Sequence, residues 1–225
     1  MLSAIRISSC ATIRRRAIHR NTAGAVDILI GYLDTNSRNY HGSQPATQWS
    51  TRGDHQDPEA HRICNEKHQG ILQIKESPDD KGFGLFASKN FAPGDLVMSS
   101  KPALITDAKD SHTVQIDWDR HVLMKPPAVL INHSCNANTG IQNNSESGSY
   151  DFFALIPIEK GEELTWDYEA SEWDLSTPFS CNCGSPNCRG KIRGFKYHGD
   201  IIREQYGEYY ADYLKNSPGN SAEAP

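Results

Sequence analysis

From Ile71 onward the chain reads as short extended runs cut by turns. Ile71-Leu72-Gln73-Ile74-Lys75 predicts a strand, and Ser77 to Lys81 is a turn cluster. Leu85 to Ala87 continues extended, Ala92-Pro93-Gly94-Asp95 turns, and Leu96–Ser99 and Ala103–Thr106 predict two more strands. Thr113 to Trp118 alternates apolar and polar residues, the period of a half-buried strand, and His121–Met124 follows a turn at Asp119-Arg120. Phe152–Ile158 is apolar and extended, and Glu159-Lys160-Gly161 turns into Glu163–Trp166. Short strands with turns about every 8–12 residues predict a mainly β fold (β+α) of several small sheets. The period changes only near the end. Ile201, Ile202, Tyr206, Tyr209, Tyr210, Tyr213 and Leu214 recur at helical spacing, predicting an amphipathic helix over 196–216 that packs on the body. Residues 217–225 read as a loose tail.

Ahead of Ile71 the pattern is lost. Residues 24–70 hold one apolar run, Val26 to Leu33, then a polar stretch rich in Asn, Gln, His, Ser and Asp, and are expected to form a poorly ordered linker. Residues 1–23 contain five arginines (Arg6, Arg14, Arg15, Arg16, Arg20) and no acid, which fits an organellar transit peptide or a plain basic tail. A transit peptide would place the protein in mitochondria or plastids; without one, nucleus or cytoplasm is the expectation.

Charge changes the picture in one respect. The net charge is −5, but without those arginines 18 Lys and Arg face 28 Asp and Glu, roughly −10. An acidic body argues against direct nucleic-acid contact, which needs a basic face, and suits a basic peptide. With no run of eighteen apolar residues, no membrane span is expected.

The six cysteines are Cys10, Cys64, Cys135, Cys181, Cys183 and Cys188. The last three form C-x-C-x4-C, which reads as metal binding rather than disulfide bonding. Three thiolates do not close a tetrahedral zinc site, which takes four N or S ligands. The fourth supplier nearest to hand is Cys135, inside Asn132-His133-Ser134-Cys135-Asn136-Ala137-Asn138. A shared metal would pin that segment to the C-terminal cysteines and close over Asn132, His133 and Tyr168. Gly82 and Gly84 flank Phe83 at the start of a strand; glycine there permits close backbone approach, and a bulged turn is the plainer use.

Four segments in this order resemble the SET-domain family of protein lysine methyltransferases with its post-SET zinc segment. They are Lys81-Gly82-Phe83-Gly84-Leu85-Phe86-Ala87, then Asn132 to Asn138, then Gly161-Glu162-Glu163-Leu164-Thr165-Trp166-Asp167-Tyr168, then Phe179-Ser180-Cys181-Asn182-Cys183 through Cys188-Arg189-Gly190. The resemblance covers about Ile71 to Arg193. It implies a SET domain over 71–172, a post-SET zinc segment over 177–193, and a knot-like fold in which the tyrosine-bearing segment threads beneath the Asn-His loop. It implies S-adenosylmethionine as cofactor, zinc, and a protein substrate with an accessible lysine, in a histone tail or another protein. By the resemblance, Lys81, Gly82, Phe83, Gly84, Asn132, His133, Tyr168 and Phe179 contact the cofactor, and Cys135, Cys181, Cys183 and Cys188 bind zinc. Tyr168 is then the catalytic tyrosine, and Trp166 lines the substrate pocket where related enzymes often carry Phe or Tyr. That indole would narrow the pocket and restrict methyl number. Glu162, Glu163 and Asp167 are near in sequence, but structural or solvated roles are expected for them. Two other readings stand beside the enzyme: a catalytically silent SET domain acting as a peptide-binding or scaffold module, and a bare zinc-binding interaction module.

Overall fold

The computed structural model describes residues 57–78 and 82–217. The basic segment 1–23, most of the 24–70 stretch and Lys81 lie outside the described residues. The fold is a set of small β-sheets with few helices.

The first element is a helix, α1 (Pro58–Lys67), where linker was expected. Its ends are well signalled. Asp57 caps it by accepting from the Glu59 amide at 2.9 Å, Pro58 opens the first turn, and Lys67 sits in the last. Arg62 pairs with Glu59 and Glu66 one turn to either side. Only His61 and Cys64 are buried, so the helix carries too little apolar periodicity to be recognised that way. Asn65 fastens it to the next strand by bonding both the amide and the carbonyl of Ile74, at 2.6 and 3.0 Å.

Strands β1 (Leu72–Glu76) and β2 (Phe83–Ala87) form an antiparallel hairpin running from Leu72↔Ala87 to Glu76↔Phe83. Gly82, with φ +78°, makes the turn that only glycine adopts cheaply. Next come β3 (Leu96–Ser99), β4 (Pro102–Thr106), β5 (Thr113–Asp117) and β6 (Arg120–Met124). The last three form a sheet in the order β4-β6-β5. A short pair follows later in the chain: β7 (Asn132–His133) lies parallel to β10 (Thr165–Trp166). Between them, β8 (Thr139–Asn144) and β9 (Ser149–Ala154) make a hairpin that joins β3 in the order β3-β9-β8. β8 is not apparent in the sequence, because Thr-Gly-Ile-Gln-Asn-Asn has little strand character. Its full register with β9 supplies what its own propensity lacks. The predicted Phe152–Ile158 strand starts earlier and ends at Ala154.

After β10 a single 3-10 turn, Tyr168–Ala170, is capped by Asp167. Tyr168 therefore stands on a turn rather than at a strand end. β11 (Phe179–Ser180) and β12 (Lys191–Ile192) bracket the cysteine loop. The predicted helix 196–216 is two helices, α2 (Phe195–Tyr206) and α3 (Asp212–Lys215). Gly207, at φ +60°, ends the first one. Phe195, Gly199, Ile202 and Tyr206 form its buried face. The tyrosines at 206 and 210 are core residues, as their spacing suggests, while Ile201 is left exposed. Among the described residues no helix is long and apolar enough to cross a membrane.

Candidate active site

The β7–β10 pair brings the two polar motifs together. Asn132 faces Thr165 and His133 faces Trp166 in register. Asn132 Nδ2 donates to Glu163 Oε1 at 2.7 Å and to the Phe83 carbonyl at 3.3 Å, which ties β7 to the glycine-flanked strand. Ser77 Oγ donates to the same Glu163 carboxylate at 2.8 Å. Gly84 is small for a visible reason. A Cβ there would lie 2.5 Å from Glu163 Oε1 and 3.1 Å from Asn132 Nδ2, so the close approach it permits is of these side chains.

His133 points its ring inward; that side chain is only 4% exposed, and the open part of the residue is its main chain. Burial, helped by the Arg189 charge, pushes the imidazole down to about 3. Nδ1 lies 3.3 Å from the Tyr168 amide and so must accept, which leaves the ring proton on Nε2, 3.5 Å from Cys135 Sγ. Being neutral, His133 makes no ion pair with Asp167, although Nδ1 comes within 3.7 Å of it.

Cys135, Cys181, Cys183 and Cys188 converge, with all four sulfurs within 4.8 Å of one another. Cys135 Sγ and Cys181 Sγ are 3.8 Å apart, about the S···S separation set by four Zn–S bonds of ~2.3 Å in a tetrahedron. Backbone amides of Cys183, Arg189 and Gly190 each point at a sulfur at 3.4 Å, the kind of donor that supports thiolate ligands. The donor set and its spacing fit zinc.

Behind the cysteines lies a buried charge network. Arg189 Nη2 donates to both oxygens of Asp167 at 2.6 and 2.7 Å, and Nε donates to Glu169 Oε2 at 2.8 Å. Glu169 also accepts from the amides of Arg193 and Gly194, and from His198 of α2. Tyr206 donates its hydroxyl to Asp167 at 3.0 Å. Burial pushes Asp167 up to about 6, with Arg189 and Tyr206 pulling against it. Asp167 and Glu163 are thus both engaged in structure. Sequence reasoning missed Arg189 and Glu169; nothing in C-R-G or in Tyr-Glu-Ala signals a buried ion pair.

Tyr168 and Trp166 line a cavity of about 260 Å³, together with Val114, Ile131, Glu172 and Phe179. The Tyr168 hydroxyl donates to the Ile131 carbonyl at 3.1 Å. Burial, with the Glu163 charge, raises its pKa well above the ordinary phenol value, so it stays protonated. Trp166 packs on Tyr168 at 5.1 Å and on Phe152 at 5.8 Å. The half-buried Phe179 ring stands edge-on to His133 at 5.5 Å and to Tyr168 at 6.1 Å. Phe83, Asn132, His133, Phe179 and Tyr168 therefore form one connected line. Lys81 falls outside the described residues. Sequence reasoning also missed Glu172, whose place is set by a partner 57 residues away.

Small sheets, a four-cysteine cluster and a tyrosine-lined cavity together point to a class of protein. Residues 82–169 match the family model described as the SET domain, and this part of the chain is a SET domain. The chain is 30% identical over 133 residues to the Drosophila melanogaster protein named histone-lysine N-methyltransferase ash1, a match covering 51% of this chain and 6% of that protein. It is 31% identical over 103 residues to methyltransferase flvH of Aspergillus flavus, covering 45% and 57%. Among solved structures it is similar to KRYPTONITE in complex with mCHG DNA and SAH, at 21% identity and TM-score 0.45, covering 55% of this chain and 29% of that one. The chain thus spans less than two thirds of the length of each of these relatives.

Proposed function

We propose that this protein transfers a methyl group from S-adenosylmethionine to a lysine side chain of a protein substrate. The observation that carries the reading is the cavity in which Tyr168, Trp166 and Phe179 meet, tied through His133 to a four-cysteine cluster. The names of the relatives agree with it.

The residues along the Phe83–Asn132–His133–Phe179 line suit the cofactor. The main chain of His133 is open while its ring is turned away, and Phe179 offers a half-exposed aromatic face for a purine. Gly82 to Gly84 and Asn132 would hold the remainder. When bound, the cofactor supplies an electrophilic methyl on a cationic sulfur.

The protein's own task is to present a neutral, aligned amine. A free lysine titrates near ~10.4, so it arrives charged. The apolar wall of Val114, Ile131 and Trp166 disfavours that charge. Tyr168 spends its one proton on Ile131, so its oxygen faces an entering nitrogen as an acceptor. It can therefore orient an amine N–H but not remove a proton, because it stays a phenol itself. Fixing the amine along one line supplies much of the rate. Trp166 fills volume that a larger methylated amine needs, which favours few methyl groups. The acidic body suits a basic tail such as a histone's.

The test is transfer of labelled methyl from S-adenosylmethionine to core histones and to a whole-cell extract, followed by amino-acid analysis. Label on lysine is expected. No label from folded, zinc-loaded protein would favour a silent, peptide-binding domain.

A further inference from the structure

The geometry points to Glu172 as the group that receives the proton of the substrate's ammonium, an assignment that rests on the methyl-transfer reading. Glu172 lines the same cavity as Tyr168 and Trp166. Its amide donates to the Tyr168 carbonyl at 3.1 Å, so the two residues stand on successive turns of one short segment. Its carboxylate is held by β5: Oε1 accepts the Gln115 amide at 2.6 Å. Gln115 is itself fixed, accepting the Trp173 amide on its side-chain oxygen at 3.1 Å and the Tyr150 hydroxyl on its carbonyl at 2.5 Å.

Among the described residues, the carboxylates of the neighbouring motifs and the cavity wall are spoken for. Asp167 and Glu169 bind Arg189, and Glu163 binds Asn132 and Ser77. Glu162 accepts a turn amide in solvent. Asp110, the other acid on the cavity wall, caps the His112 and Thr113 amides. Among the described residues no arginine or lysine is bonded to Glu172, yet it is buried. A buried carboxylate with no cation bonded to it, at the wall of a cavity that must take one, has a partner of obvious chemistry: a primary alkylammonium.

Burial pushes Glu172 up to about 7, while the Gln115 amide and the Lys109 charge pull against it. The Lys109 charge reaches it from the loop before β5, whose Asp110 and His112 line the same cavity, and its own charge is felt by Tyr150 of β9 and Tyr213 of α3. The same dry surroundings lower the ammonium's affinity for its proton, so the two groups approach each other. The step balances simply. One N–H bond of the ammonium breaks, its electron pair stays on nitrogen, and the proton bonds to a Glu172 oxygen. A neutral amine and a carboxylic acid remain.

The test uses the full chain with zinc, as wild type, Glu172→Gln and Glu172→Asp, each checked for melting temperature and metal content. Two readouts are taken between pH 5.5 and 9. The first is methyl transfer to core histones. Wild-type kcat/KM is expected to rise through about pH 7; Glu172→Gln should lose that rise and about a hundredfold of rate, with Glu172→Asp recovering part of it. The second is binding of Nα-acetyl-lysine methylamide, followed through the Trp166 indole resonance. Wild type should bind it about tenfold more tightly at pH 8 than at pH 6, and Glu172→Gln should show no such dependence. Unchanged profiles in Glu172→Gln overturn the assignment. Absence of transfer with the pH-dependent binding intact overturns the methyl-transfer reading and leaves the carboxylate–ammonium pairing standing.

Discussion

Arg189 reaches from the cysteine loop to grip both carboxylate oxygens of Asp167, the residue next to Tyr168. The cysteine cluster therefore holds more than its own loop. Both partners are almost wholly shielded from water, so removing the cation leaves Asp167 and Glu169 buried and uncompensated. Arg189→Met should destabilise the fold by about 3–5 kcal/mol, read as a fall in the urea midpoint. A change under about 1 kcal/mol would mean the network is dispensable.

The cluster itself should hold close to one zinc per chain by elemental analysis. Cys135→Ser should lose the metal and, with it, protection from hydrogen exchange over 179–192 and 167–170. Stable, fully protected metal-free protein would show that the four sulfurs converge without need of an ion.

Glu172 makes a stability prediction of definite sign. Its carboxyl titrates higher in the fold than the ordinary 4.5, at about 7, so the folded state holds the proton more tightly than the unfolded chain. Stability from this group is present below about 4.5 and is lost as pH rises to about 7, roughly 3 kcal/mol over the window. Glu172→Gln, which keeps an oxygen for the Gln115 amide, should be the more stable protein at pH 8 and lack that part of the slope. Wild type and variant running parallel across the window would contradict it.

On the methyl-transfer reading, Trp166 would set the room around the amine. It is 4% exposed and wedged between Phe152 and Tyr168. Trp166→Phe should allow more methyl groups per lysine, seen by mass spectrometry of the product, at some cost in stability from the smaller ring. Efficient trimethylation by the wild type would show that the indole does not limit the product.

Much of the site could be read from residue order. Asn132-His133, Thr165-Trp166 and the four cysteines are contiguous motifs whose partners are also motifs, so the sequence pattern names both halves of each contact. Glu172 and Arg189 could not be found that way. Each owes its role to a residue far along the chain, Gln115 or Asp167, with nothing local to mark it. The same holds for the fold. Strands with strong alternation, such as β5, are visible, whereas β8 is a strand because β9 completes it. Helix α1 was read as linker: it carries cap residues, Asp57-Pro58 and Lys67, but too few buried residues to show a helical period. The break at Gly207 shows the reverse case: apolar spacing continued across a residue whose backbone stops the helix.

The most direct test of the whole account is labelled methyl transfer by wild type beside Tyr168→Phe, both shown to be folded and zinc-loaded. Phenylalanine removes only the hydroxyl that donates to Ile131, so the fold should lose about 1 kcal/mol while transfer falls by about a hundredfold or more. Transfer to lysine that survives in Tyr168→Phe at the wild-type rate would contradict the role given to this tyrosine and to the cavity it lines.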